Sequence, residues 1–532
     1  MPEVQAKIVF YYGRMVEMEK IIMLVVFFAV MVGVGFYCKK HTTDVSGFVL
    51  GGRSVGPWLT AFAYGTSYFS AVIFVGYAGQ FGWKFGIAST WIGLGNAFIG
   101  SLLAWTILGR RTRLMTQHLN SSTMSEFFGT RYSSNVLKIL SSIIIFVFLI
   151  PYTASLYNGL SRLFAMAFDV DYAVCVIVMA VLTCVYVVAG GYMATAINDF
   201  IQGIIMLGGI VAVVAAVLNL NGGFMGSLDA LANVSDPTVS STPGVFASFF
   251  GPNPIELLGV VILTSLGTWG LPQMVQKFYA IKDEKSISKG TIISTLFAII
   301  VAGGCYFLGG FGRIVDVQNI TNAQGAIVYD AIIPAMLANL PDILIAIVIV
   351  LVLSASMSTL SSLVMASSST LTIDLIKDNI VKNMSEKKQV SIMRVLIVVF
   401  IAISAAIAIM QYNSANNFIA QLMGVSWGAL AGAFLAPFLY GLYSKRTTKA
   451  SVYVCIIFGA GIMILNLFFR SSFPTILQSP INCGAFAMLA GLIIVPVVSL
   501  FTKKPDAHSV EKMFECYNAK VTVSAKDALG DN

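Results

Sequence analysis

Apolar runs of about 20 residues follow one another along nearly the whole of this 532-residue chain, each long enough to cross a hydrocarbon core of roughly 30 Å as a helix. A segment in hydrocarbon has no water to satisfy its backbone polar groups, so each run must close its hydrogen bonds internally, as an α-helix does. With 57% hydrophobic and 11% charged residues and a mean hydropathy of +0.85, the chain cannot solvate its own surface as a water-soluble globule. The expected fold class is an all-α integral membrane protein with about 13 transmembrane helices, read by length and hydropathy. The spans fall at 18–38, 55–78, 85–108, 135–166, 171–189, 193–218, 254–276, 290–313, 340–373, 390–411, 416–442, 450–470 and 481–501. No sizeable soluble domain fits between them.

The formal charge of +8 is distributed by connection and forms no single patch, which speaks for topology and against nucleic acid. Lys39, Lys40 and Arg53; Arg110, Arg111, Arg113 and Arg131; Lys277, Lys282, Lys285 and Lys289; Lys377, Lys382, Lys387 and Lys388; and Lys445, Arg446 and Lys449 all fall on one side of the alternation. The connection 219–253 has no Lys or Arg, and 314–339 has none. The positive-inside rule then predicts a multi-pass protein of the cell membrane with its N-terminus outside and its C-terminus in the cytoplasm. The first run lacks a small-residue cleavage site and is followed by Lys39 and Lys40, so it is expected to be retained; Met15 and Met18 allow a shorter start. Cys175, Cys184, Cys305, Cys455 and Cys483 lie in apolar runs without a C-x-x-C pair, which suits packing. His41, His118 and His508 all lie in polar connections, which argues against a metal centre or a proton relay of imidazoles in the membrane. An intramembrane hydrolase would be left with serine and a distant carboxylate, so the chain is not read as an enzyme.

Two runs carry helix-breaking residues: Gly65-Thr66-Ser67 in the second and Gly267-Thr268-Trp269-Gly270-Leu271-Pro272 in the seventh. They lie five spans apart, and an odd repeat length inverts the second copy relative to the first. Paired interrupted helices at matching positions point to the central site of a secondary transporter. The ninth run contains Ser354-Ala355-Ser356-Met357-Ser358-Thr359-Leu360-Ser361-Ser362, with 355, 358, 359 and 362 on one helical face. Such hydroxyls either bond back to their own helix and tighten packing or supply oxygens to a desolvated cation. Asp199 is read as the acidic residue clearly inside a span, and a buried carboxylate there needs a positive partner. No Lys or Arg lies at matching depth in the hydroxyl-rich run, so a sodium ion is the expected counter-charge. A proton on Asp199, and a carboxyl reached by cytoplasmic water, are the other readings.

These residues resemble the sodium/solute symporter family that includes the proline, pantothenate, sialic acid, iodide and glucose cotransporters. The likeness covers about residues 48 to 440. It is carried by Gly51-Gly52-Arg53-Ser54, by Gly190-Gly191-Tyr192-Met193-Ala194 leading to Asp199 and Gln202, by Gln273 with Val275-Gln276-Lys277, and by Met357-Ser358-Thr359-Leu360-Ser361. The resemblance implies a LeuT-like core of two inverted five-helix repeats, 55–218 and 254–442, joined by the extracellular connection 219–253. It implies an N-terminal segment and first helix at 1–54, two further helices within 443–501 and a cytoplasmic tail at 502–532. Carried over by motif, a sodium site is implied at the backbone carbonyls of Thr66, Phe69 and Ala355 and the hydroxyls of Ser358 and Thr359. A second sodium pattern matches Asp199, Ser358, Ser361 and Ser362.

Departures bear on the solute. Where the proline carriers have an Asp beside the break, this chain has Tyr68, and where they have Trp and Tyr in the second broken helix it has Thr264 and Thr268. Arg162 matches an arginine of the proline carriers, and a snorkelling interfacial role is an equal reading. The expected substrate residues are Tyr68, Ser70, Thr264, Thr268, Trp269 and Gln273, for an amino acid or carboxylate first and a sugar second. The expected function is sodium-driven uptake by alternating access, with sodium as coupling ion, the bilayer and a small solute as partners, and no obligatory protein partner. A proton-coupled symporter, a channel and a transporter-like sensor are the rival classes; a channel would show a repeated pore loop or a charged ring.

Overall fold

The computed structural model describes residues 21–39, 44–168, 171–321, 325–381, 383–412 and 419–521. The long helices are α1 (Ile21–Cys38), α2 (Pro57–Thr66), α3 (Val72–His118), α4 (Asn135–Leu160), α5 (Tyr172–Leu220), α6 (Pro254–Gly270) and α7 (Pro272–Tyr279). There follow α8 (Glu284–Ile314), α9 (Asp342–Ile380), α10 (Glu386–Gln411), α11 (Gln421–Tyr443), α12 (Lys449–Phe468) and α13 (Pro480–Phe501), with a short α14 (Ala507–Phe514) after them. Among the described residues β-pairing is confined to isolated bridges such as Val55 with Ile281.

Two of these helices are too long for one crossing. At about 1.5 Å per residue, the 49 residues of α5 and the 47 of α3 reach about 70 Å, more than twice the hydrocarbon thickness. Each turns at a glycine in a conformation that L-residues avoid: Gly191 (φ 54°, ψ −150°) in α5 and Gly86 (φ 61°, ψ −144°) in α3. At Gly191 a Cβ would also lie 2.8 Å from the Phe48 ring, so both torsion and space demand glycine. If α3 and α5 each count as two crossings, with α2 joined to the first part of α3 and α6 joined to α7, the described helices make about 13 crossings, as the hydropathy reading expects.

The two breaks arise differently. Pro272 has no N–H to donate and forces Leu271 out of the helical region, to φ −85° and ψ 121°, so α6 and α7 meet at a 46° bend. Between α2 and α3 there is no proline. There the Thr66 hydroxyl donates back to the Phe62 carbonyl at 2.9 Å and the Ser67 hydroxyl to that of Ala63, and the helix stops at Thr66 before resuming near Val72. α9 lies at the centre, with every side chain from Val348 to Thr370 buried. Large apolar side chains of α1, α10, α12 and α13, such as Val25, Val398, Ile457 and Ile493, are exposed outward, as lipid contact requires.

The charged connections gather at two ends. At one end Arg53 donates to the carbonyl of Ser121 at 2.6 Å and that of Tyr279 at 3.2 Å, Arg113 to Ile281 at 2.6 Å, and Arg131 to Gly441 and Ser444 at 2.9 Å each. Arg110 pairs with Glu284 at 3.0 Å and donates to the tail carbonyl of Ala519, while Lys445 pairs with Glu511 of α14. At the other end Lys84 pairs with Glu256 at 2.7 Å and Arg313 with Asp236 at 2.9 Å. The Thr238 hydroxyl and the Arg313 guanidinium together hold the Asp236 carboxyl below the usual carboxylate range.

Candidate functional site

The break after α2 leaves backbone carbonyls without helical partners, and α9 turns its hydroxyl face toward them. Ser358 Oγ donates within 3.2 Å of the Thr66 carbonyl and 3.0 Å of that of Ala355. Thr359 Oγ1 stands 3.1 Å from each of the Thr66, Phe69 and Ala355 carbonyls. The structure therefore brings all five residues of the first expected ion site into one cluster of oxygens, fully buried and without a carboxylate. Three carbonyl oxygens and two hydroxyl oxygens in one dry place form a neutral, hard-oxygen donor set of the kind that suits a desolvated monovalent cation. Ser356 tightens the same junction, its hydroxyl accepting from the Ala71 N–H at 3.2 Å where the chain re-enters its helix.

The second expected site is arranged otherwise. Asp199 is fully buried in α5, two turns past Gly191, and Lys277 Nζ of α7 lies 3.5 Å from its Oδ2. The same ammonium donates to Ser362 Oγ at 3.0 Å and stands 5.2 Å from the Tyr192 ring centroid. Ser362 Oγ in turn lies 2.9 Å from Ser67 Oγ at the end of α2, and Ser361 Oγ donates to the Ser358 carbonyl of its own helix. Two sequence expectations are corrected here. Lys277 is only 2% exposed, inside α7 and not in a basic connection, and its ammonium stands beside the Asp199 carboxylate. The sequence signal was present: the carboxylate demanded a partner, and Lys277 falls only a turn and a half past Pro272 in a short helix whose residues are all buried. Asp199 is also not the one acid within a long helix. Asp374 is fully buried near the end of α9, accepting from Thr123 Oγ1 at 2.7 Å with Lys138 Nζ at 3.9 Å.

The expected substrate residues divide into two groups. Thr264, Thr268 and Trp269 are committed to the protein: Thr264 Oγ1 donates to Val260, Thr268 Oγ1 to Ser265 at 2.8 Å, and Trp269 Nε1 to Ile99 of α3 at 3.0 Å. They build the wall between α6 and α3. At the breaks themselves Tyr68 Oη, Ser70 Oγ and both amide atoms of Gln273 are buried and have no hydrogen-bond partner among the described residues. Buried polar groups in that state are costly unless something else satisfies them. Two residues went unread in the sequence: Tyr152 of α4, whose hydroxyl points to the Tyr68 carbonyl at 3.4 Å, and Trp427 of α11, whose ring meets Tyr152 edge-on at 5.9 Å. Lone aromatics in apolar helices give no local sign that they face a break. The Arg162 side chain lies outside the described residues.

The sequence profile of the sodium:solute symporter family matches residues 48–459. The osmoregulated proline transporter OpuE of Bacillus subtilis is 28% identical over 501 residues, covering 92% of this chain and 96% of its own length. A sodium/proline symporter of Staphylococcus aureus is 29% identical over 509 residues, covering 91% of this chain and 93% of its own. Among solved structures, a Na+-coupled sialic acid symporter in a substrate-bound outward-open state superposes with a TM-score of 0.71 at 18% identity, over 91% of this chain and 98% of the other. Mhp1, a nucleobase-cation-symport-1 family transporter in a closed conformation, superposes at 0.51 with 13% identity, over 89% and 99%. At those identities the two structures speak for the fold, which is the LeuT-like one.

Proposed function

The chain belongs to the sodium:solute symporter family, and from that premise we propose that it couples inward sodium flow to the uptake of a small polar organic solute, amino acids and carboxylates first and sugars second. The observation that carries the coupling is the cluster of Thr66, Phe69 and Ala355 carbonyls with the Ser358 and Thr359 hydroxyls, 3.0–3.2 Å apart across the α2 break. Sodium bound there ties α2 to α9, so ion occupancy favours the conformation in which the break and α9 are docked. A ligand shifts such an equilibrium only by its differential affinity for the two states. We take the moving units to be the inverted repeats 55–218 and 254–442, a division supported by the matched breaks at α2–α3 and α6–α7. The basic end of the molecule is assigned to the cytoplasm by the positive-inside rule. One cation moving inward across 100 mV contributes about 2.3 kcal/mol, enough for about a fiftyfold concentration of a neutral solute before any sodium gradient is added.

The solute class rests on the unpartnered groups at the breaks. Tyr68, Ser70 and Gln273 offer neutral donors and acceptors, with no ionised side chain among them. Neutral hydrogen-bonding groups suit a small polar molecule, and a site built to pair such groups rejects analogues that leave them unpaired. Proline is the solute that the names of the two sequence relatives give, and the departures at Tyr68, Thr264 and Thr268 make it a solute to test here and not a premise. The test is a thermal-shift screen of amino acids, carboxylates and sugars on purified protein, in sodium and in choline, followed by uptake into proteoliposomes. A solute that stabilises the protein only in sodium, and accumulates under a sodium gradient, is the expected result. Accumulation driven by a pH gradient in sodium-free buffer would refute the assignment.

A further inference from the structure

The Asp199 cluster joins four helices: the carboxylate comes from α5, the ammonium of Lys277 from α7, Ser362 from α9 and Ser67 from the end of α2. Its members are buried, with Asp199 and Ser67 at 0%, Lys277 at 2% and Ser362 at 3% exposure. Within it the charge is already balanced, one carboxylate against one ammonium. Of the second sodium pattern, the three hydroxyls have protein partners, and the Asp199 carboxylate has the Lys277 ammonium 3.5 Å from Oδ2 without a hydrogen bond among the described residues. Ser358 Oγ faces the Thr66 and Ala355 carbonyls, Ser361 Oγ donates to its own helix, and Ser362 Oγ receives the Lys277 ammonium.

We propose that Lys277 acts as a tethered cation that replaces a second sodium ion at Asp199, so that this transporter carries one sodium ion per cycle. A free cation entering the cluster would place a second positive charge beside the ammonium where no water screens it, and like charges in a low-dielectric site repel strongly. The tethered charge moves with α7 and cannot be released to either side, so it keeps Asp199 neutralised throughout the cycle without adding to the driving force. The Tyr192 ring over the ammonium, 5.2 Å from its centroid, adds a cation–π contact that also favours the charged amine. The inference rests on the sodium-coupled reading above and deepens it to a stoichiometry.

Equilibrium binding of radioactive sodium to the purified full-length protein in lipid nanodiscs, without solute, tests it. The native chain should bind one ion, and Thr359→Ala should lose that ion. Lys277→Gln, which removes the ammonium and leaves the carboxylate, should gain a second ion, and Lys277→Gln with Asp199→Asn should lose the gain. Two ions on the native chain, or a folded Lys277→Gln protein that still binds one, overturns the proposal while leaving sodium coupling intact. If Lys277→Gln does not fold, the native count decides alone. A native chain that binds no sodium overturns the sodium-coupled reading and this proposal with it.

Discussion

Thr359 is the residue on which the ion assignment turns, because its single hydroxyl oxygen stands at 3.1 Å from three carbonyls contributed by both sides of the α2–α9 junction. If it served packing alone, Thr359→Ala would cost about 1 kcal/mol or less, as hydrogen bonds between membrane helices do, and sodium dependence would stay put. As a ligand, its loss is expected to raise the sodium concentration for half-maximal uptake at least about tenfold, equivalent to 1.4 kcal/mol or more. Initial-rate uptake against sodium concentration measures it. Lys277 makes a second prediction of opposite character. Removing one partner of a buried ion pair leaves the other charge uncompensated, so Lys277→Gln in sodium-free buffer should destabilise the protein by about 3 to 5 kcal/mol. Added sodium should return part of that, and Asp199→Asn combined with Lys277→Gln should cost less than Lys277→Gln alone. Thermal unfolding with and without sodium reads all three.

The elements are shaped at a few positions where the backbone leaves the ordinary helix. Gly191 lets α5 turn between two crossings, and an alanine there meets both a positive φ and the Phe48 ring at 2.8 Å. Gly191→Ala should lower stability by about 1 to 3 kcal/mol, the range for a strained backbone position, seen as a lower unfolding temperature and reduced yield. The 219–253 connection is pinned by Asp236, held between Thr238 Oγ1 at 2.6 Å and Arg313 Nη1 at 2.9 Å. Because the folded pKa is depressed below the unfolded value of about 3.9, the stabilisation is fully present above that value and is lost as pH falls through the folded one. Between pH 7 and 5 the clamp should therefore be insensitive to pH. Asp236→Asn should release it at any pH, which faster modification of a cysteine placed at Ser235 would report.

At the scale of the whole molecule, sidedness is the property that the charge pattern anticipates and that labelling decides. Ser235 lies exposed in the connection without Lys or Arg, and Ser385 lies exposed before α10 in a basic connection. The native cysteines are buried, apart from the half-buried Cys184, so an introduced thiol reports with little background. A membrane-impermeant maleimide on intact cells should modify Ser235→Cys and leave Ser385→Cys unmodified until the membrane is opened. Modification of both from outside would reject the odd number of crossings. Much of the fold was legible in this way: apolar runs, their breaks and the loop charges are each local in sequence. Lys277 shows the limit, since the charge pattern counted it among the cytoplasmic lysines although it lies buried behind the second break.

What the sequence determined by itself was therefore every property set by a short window: the lipid-embedded helices, the interruptions at Ser67 and Pro272, and the hydroxyl face around Ser358 and Thr359. The resemblance to a family added the five ion-site residues, which no periodicity could single out. Tertiary structure alone decided which polar groups remain unpartnered at the breaks, and which basic side chain stands beside Asp199. The reason is register: the depth and rotation of α7 beyond its 46° bend depend on packing against α2, α3 and α9. A shift of one residue turns a side chain by about 100° around the helix, enough to carry an ammonium away from a buried carboxylate.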